Sequence, residues 1–345
     1  MKRKELNGDS FSRIFRLNYS RKGENMGKFD EATYEYFSNP EYFADLINAG
    51  CFEGKEIVCA DRLEQLSERT QEEGKKGPKS TYRDLRMRLR NGAGFVFLAV
   101  ENQTEVDFEM PLRIMRYDAA EYQRQANAHR RKKRKERETA CLGRSAWSER
   151  MTKDDRFYPV YTVCFYHGDG TWRGPRSLKE LMDFGENAGE WEESFSDYRI
   201  TVINANDREL AENCRTQLRQ LLNVMSARRD KKRLNALFQE KDYANLNQET
   251  ARIIAVMADV PEFLEREDEY QNTGGGYNMC QAMDELRAEF KEEGRAEGRA
   301  EGREQALITD VRNLMTSMKL SMEQAMNALM IPEENRGRIR HLIQQ

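Results

Sequence analysis

The sequence predicts an α/β fold, a central sheet flanked by helices, with an α-helical C-terminal extension. Two strand patterns, at 82–90 and 95–103, lie on either side of the turn residues Asn91, Gly92 and Gly94. Two further strand-like stretches follow a long helical segment, at 159–166 and 198–204. Beyond residue 206 only helical patterning remains.

The elements follow in order. Residues 1–25 are basic and lack sustained periodicity, which leaves two readings: a disordered basic arm, or a stretch ahead of a true start at Met26. A helical pattern runs from Asp30 to Ala49 and is interrupted at Ser38-Asn39-Pro40. Pro40 suits the first position of a new helix, with Asn39 as its cap. Tyr42, Phe43, Leu46 and Ile47 form one apolar face, which Asp45 and Asn48 flank. The polar stretch from Asp61 to Ser80, with Gly74 and Gly77-Pro78 near its end, reads as an exposed loop.

The segment TYRDLRMRLR then alternates, with Tyr82, Asp84, Arg86 and Arg88 on one side and Leu85, Met87 and Leu89 on the other. Asn91, Gly92 and Gly94 supply residues that tolerate positive φ. FVFLAVENQ is continuously apolar until its last residues, as in a central strand buried on both faces. The two segments form a β-hairpin. Met110 to Glu138 reads as one long helix, Pro159–Tyr166 and Tyr198–Asn204 as strands, and 207–270 as helices. Gly274-Gly275-Gly276 interrupts them before a further helix near Met279. The expected divisions are 26–206 for the sheet-bearing domain, 207–290 for a helical region, 291–304 for a Glu-Gly-Arg repeat and 305–345 for a small helical segment.

Composition narrows the function classes. Charged residues reach 34% and the net charge is -3, so there is no global attraction to nucleic acid and any such binding must come from local basic patches. Six cysteines and three histidines include no CxxC pair, which speaks against a zinc site. Cys164, inside an apolar run, reads as a small buried residue. No stretch is long and apolar enough for a membrane span, and no signal-peptide core is present, so a cytoplasmic location is expected.

The hairpin carries the chemistry of most interest. With the turn at 91–94 roughly halfway between them, hairpin pairing could bring Asp84 level with the Glu101 end, and Gln103, two residues beyond Glu101, points to the same face as Glu101. Two carboxylates meeting at a strand end suit a hard, oxygen-seeking cation such as Mg²⁺. The same acids are also read as solvated side chains or as partners of Arg83, Arg86 and Arg88.

The pattern Asp84…Glu101-x-Gln103 resembles the PD-(D/E)XK nuclease superfamily, with glutamine in place of the last lysine and Arg83 where the motif has proline. More narrowly, YRDLRMRL…FVFLAVENQTEVDFEMPLRIMRYDAAEY resembles the bacterial recombination-promoting nuclease/putative transposase family. FADLIN at 43–48, HGDGTWRGPRSLKEL at 167–181 and the repeat at 293–303 fit that family too. The resemblance spans most of residues 39–205 and implies a restriction-endonuclease-like mixed sheet and a DNA endonuclease dependent on Mg²⁺, with Mn²⁺ as a substitute. It implies that Asp84 and Glu101 hold the metal, that Gln103 positions water and that Asp45 is a further acid nearby. It also leaves Arg113 and Tyr117, at i and i+4 of the long helix, open to phosphate contact or to packing on the sheet. Glutamine carries no charge, so activity is expected to be weaker than with lysine.

Three features complete the reading. HRRKKRKER, beginning at His129, carries seven Lys or Arg within 130–137, and Arg130, Arg131, Lys132 and Lys133 either face solvent or hold a DNA backbone. In the repeat, Gly294, Gly298 and Gly302 form a drifting stripe that disfavours an isolated helix, leaving a flexible tether or a face for self-association into a homo-oligomer. Ile308–Ile343 reads as a small helical hairpin broken at Ile331-Pro332. Three function classes remain: a metal-dependent DNA nuclease, a nuclease scaffold that binds DNA or protein without cutting, and a helical interaction protein whose 207–345 region does the work.

Overall fold

The computed structural model describes residues 22–66, 84–92, 94–139, 150–186 and 188–344, with the side chains of 22–28, 30, 84 and 344 outside the description. Residues 1–21 of the expected arm at 1–25, residues 67–80 of the expected loop at 61–80 and the start of the expected strand at 82–83 lie outside the described residues. Two compact units are distinguished, Leu17–Cys280 and Gln281–Gln345.

The first unit opens with helices α1 (Lys22–Ser38) and α2 (Pro40–Phe52). Helix α1 begins ahead of Met26, so Lys22 to Asn25 belong to it and not to an arm. The Asn39 side chain accepts from the Glu41 amide at 3.0 Å and caps α2, with Pro40 at the first position. All residues from Tyr42 to Ala49 are buried, Asp45 and Asn48 included. Asn48 earns its burial by accepting from the Ile57 and Val58 amides and donating to the Val58 carbonyl at 2.8 Å.

Among the described residues the sheet has five strands in sequence order: β1 (Leu63–Gln65), β2 (Asp84–Asn91), β3 (Gly94–Gln103), β4 (Val160–Tyr166) and β5 (Thr201–Asn204). Pairing is antiparallel from β1 to β3 and parallel from β3 to β5, so the sheet is mixed. Strand β1 is a correction to the expected loop. It spans three residues at the sheet edge, pairing Leu63 with Leu89, and has no apolar alternation to announce it. The β2–β3 hairpin closes on the Asn91–Gly94 pair, with Gly92 at φ 59.

A parallel neighbour needs a crossover, and helix α3 (Met110–Thr139) supplies it between β3 and β4. Cross-strand pairs share a face. Asp84, Arg86 and Arg88 therefore lie with Glu101, Ala99, Phe97, Cys164 and Thr162 on the face that α3 covers. Met110 and Ile114 of α3 pack there against Cys164, Tyr166, Trp172 and Ile200. The opposite face carries Leu85, Met87, Val100, Val163 and Phe165. Phe37 of α1 meets Phe165 edge-on at 5.2 Å, and a Cβ on Gly50 of α2 would lie 2.5 Å from Ile203, so only glycine permits that approach. The result is helix, sheet and helix in three layers.

Helix α4 (Ala188–Ser194) lies between β4 and β5. Five helices follow: α5 (Arg208–Asn213), α6 (Leu218–Ala227), α7 (Lys231–Leu237), α8 (Gln248–Met257) and α9 (Pro261–Glu265). They belong to the same unit as the sheet. Asn247 donates to the Tyr42 hydroxyl at 2.7 Å, and Tyr36 and Thr250 share a hydroxyl hydrogen bond at 3.2 Å.

Helix α10 (Met279–Ser317) runs unbroken through the Glu-Gly-Arg repeat, so that stretch is helical and not a tether. Open space surrounds the position of a Cβ at Gly294, Gly298 and Gly302. In the second unit its later turns pack with α11 (Met322–Ala328) and α12 (Glu333–Gln344) around Ile308, Val311, Ala325, Met326, Ile331 and Ile339. Ser321 and Gln324 form a reciprocal capping box for α11. No helix among the described residues is long and apolar enough to cross a membrane.

Candidate metal centre

The hairpin register pairs Asp84 directly with Glu101, so the two acids face each other across one ladder position. The Asp84 side chain lies outside the described residues. Glu101 is 1% exposed on the central strand. Its Oε2 accepts from Arg113 Nη2 at 2.8 Å, while Oε1 is buried with no hydrogen-bond partner among the described residues. Leaving a buried carboxylate oxygen unmatched is costly, which makes Oε1 a position where a further electropositive group belongs. Gln103 follows two residues later on the same face, at the ladder position of Tyr166. Its carbonyl accepts from the His167 amide at 2.9 Å and fixes the strand end.

Arg113 sits one turn into α3 and uses its nitrogens on three different groups. Besides Glu101, Nη1 donates to Asp107 Oδ2 at 3.1 Å and Nε to the Tyr117 hydroxyl at 3.2 Å. Burial works against its charge, but the Tyr117 hydroxyl and then Asp107 outweigh it, and the guanidinium titrates above its ordinary range. Arg113 and Tyr117 thus share a helix face, as their spacing requires, and that face is engaged with the sheet acid. Cys164, at the ladder position beside Glu101, has its thiol pushed up to about 12 by burial.

Asp45 is held by groups remote in the sequence. Its carboxylate accepts from the Arg215 amide at 3.0 Å, the Thr216 amide at 2.9 Å and the Thr216 hydroxyl at 2.6 Å. It anchors the turn between α5 and α6. Of the basic run, Arg130, Arg131 and Lys132 are exposed near the end of α3. Lys133 is engaged, donating to the Arg150 carbonyl at 2.9 Å and pairing with Asp155. Lys133 and then the Thr152 amide and hydroxyl hold the Asp155 carboxyl well below the usual carboxylate range.

Sequence reasoning missed a row of buried polar side chains on the middle of α3. Asp118 accepts from Thr162 Oγ1 and the Tyr198 hydroxyl, each at 2.5 Å. Glu121 Oε2 accepts from Arg124 Nε at 2.8 Å and lies 3.6 Å from Arg86 Nη1. Gln125 exchanges hydrogen bonds with the backbone of Tyr158 at 2.8 and 3.1 Å. The signal was present, since 118, 121 and 125 continue the inward stripe begun by Met110 and Ile114. Polar side chains masked it from a search for apolar periodicity.

The residues present fit a hard cation at one end of this face. Glu101 Oε1 is a carboxylate oxygen, the donor type Mg²⁺ and Mn²⁺ prefer, and the register places Asp84 at the ladder position across from it. No cluster of three His, Cys, Asp or Glu side chains that could hold a metal occurs among the described residues, so water or substrate oxygens would have to complete such a site. Compared with protein-family models, curated proteins and solved structures, the chain matches none.

Proposed function

We propose that this chain is a metal-dependent DNA endonuclease, hydrolysing phosphodiester bonds in recombination or the movement of a mobile element. The observation that carries the reading is the buried, unmatched Glu101 Oε1 on the central strand, directly across the ladder from Asp84. The Asp84…Glu101-x-Gln103 spacing and the resemblance to PD-(D/E)XK nucleases support it. So does the order helix, hairpin, crossover helix and parallel strand, which suits a restriction-endonuclease-like core.

Asp84 and Glu101 would hold Mg²⁺ or Mn²⁺. When bound, the cation supplies Lewis acidity towards the phosphoryl oxygens. The chain's own residues do the rest. Arg113 fixes the Glu101 carboxylate by one oxygen. Gln103 offers an amide that orients a water by hydrogen bonding and accepts no proton at neutral pH. Arg130, Arg131 and Lys132, exposed on α3, attract the phosphate backbone without reading bases. A second copy of the chain is a further proposed partner, meeting the open glycine row of α10.

A second reading, a nuclease scaffold that binds DNA or protein without cutting, is favoured by the uncharged Gln103 and by the guanidinium already seated on Glu101. Cleavage of supercoiled plasmid by purified protein with Mg²⁺, Mn²⁺ or EDTA, beside Glu101→Ala, separates the two. Metal-dependent nicking that the substitution abolishes is expected. Inert wild type and variant that both retard DNA on a gel would establish the second reading.

A further inference from the structure

We propose that Arg113 is a positioning residue that sets which divalent cation Glu101 accepts; the inference rests on the metal-centre reading above. With Oε2 taken by Arg113, Glu101 has one oxygen, Oε1, left to offer. The guanidinium does not swing aside freely, because its other nitrogens are held by Asp107 and the Tyr117 hydroxyl.

Cations differ in what they ask of a carboxylate. Ca²⁺ gathers six to eight oxygens and commonly takes both from one carboxylate, whereas Mg²⁺ requires a small octahedron and keeps several waters. A glutamate restricted to one oxygen suits Mg²⁺ and Mn²⁺ and denies Ca²⁺ its two-oxygen grip. The positive charge of Arg113 beside the acids also opposes every divalent cation, so removing it strengthens binding in general. The change in ratio between cations, and not the common gain, reports the one-oxygen restriction.

The test is calorimetric titration of Mn²⁺ and Ca²⁺ into the metal-stripped full chain, comparing wild type with Arg113→Met and Arg113→Lys, each checked for native circular dichroism. Arg113→Met opens Oε2, and Ca²⁺ affinity is expected to rise roughly 10-fold relative to Mn²⁺, the scale on which residues behind metal ligands act. Arg113→Lys keeps the charge but has one ammonium for three partners, so the ratio shifts the same way by less. That variant carries the test where the methionine variant fails to fold. Glu101→Gln is expected to remove binding of both cations in every background. An unchanged ratio in the folded variants, with binding still abolished by Glu101→Gln, overturns the role of Arg113 and leaves the metal centre standing. Absence of Glu101-dependent binding in wild type overturns the metal centre and the inference with it.

Discussion

Two stretches of the interface between α3 and the sheet hold buried acids, and they differ in how completely those acids are matched. Asp118 has both oxygens occupied by hydroxyls, whereas Glu121 meets Arg124 and Arg86 through Oε2 and keeps 11% of its side chain exposed. Glu101, a short way along the same face, has one oxygen held by Arg113 and one with no partner among the described residues. Burying a carboxylate is tolerated when its lone pairs are filled and costly when they are not. Matched acids act as struts; the oxygen without a partner among the described residues is where the proposed cation would bind. Asp45 falls with the struts, since three donors from Arg215 and Thr216 converge on it.

The largest effect that sharpens this contrast is on Asp45. Asp45→Ala removes a charged acceptor and strands the Arg215 and Thr216 amides, a loss of about 3 kcal/mol in unfolding free energy. Denaturant titration measures it, and cleavage should persist wherever the variant remains folded. A stable variant that has lost cleavage would return Asp45 to the site.

His167 extends the contrast to a buried base. It is 1% exposed beside the Phe165 ring, and burial drives its pKa down to about 3 from an ordinary value near 6.5. The unfolded chain binds a proton in that interval and the folded one does not. The contribution is therefore complete above pH 6.5 and is lost as pH falls towards 3. Unfolding free energies followed from pH 7 down to pH 4 should fall for wild type and less for His167→Gln, while identical slopes contradict the assignment. Asp118 acts in the opposite sense, because burial raises its carboxyl.

The smallest effect concerns the second unit, where Arg336 and Arg338 are matched to Glu333 and Glu304 and the glycine row of α10 is left open. On a solvent-facing helix Gly298→Ala stabilises by about 1 kcal/mol. On a face that closes against a second copy the added methyl holds the helices apart. The proposed self-association predicts the latter, a lower mass in sedimentation, and an unchanged mass with a firmer helix contradicts it.

What the sequence disclosed follows from the range of each interaction. The Asn39 cap and the β2–β3 hairpin are written in neighbouring residues and in a period of two, and the structure has both; the hairpin register sharpens the expected nearness of Asp84 and the Glu101 end to a direct pair. Strand β1 escaped because three edge residues carry no pattern. The destination of Asp45 escaped for another reason: its partners lie 170 and 171 residues away, beyond any local rule. Arg113 was singled out for its face on α3, but its fork onto Glu101 and Asp107 depends on how the crossover helix settles on the sheet.

The measurement that tests the contrast most directly is plasmid nicking and thermal melting of Glu101→Gln, side by side with wild type. The substitution keeps the shape and removes the buried charge. The account predicts that metal-dependent nicking disappears while the melting temperature falls less than it does for Asp45→Ala, since the amide oxygen of glutamine still accepts from Arg113. Nicking that survives, or a fold that collapses as it would for a strut, would contradict it.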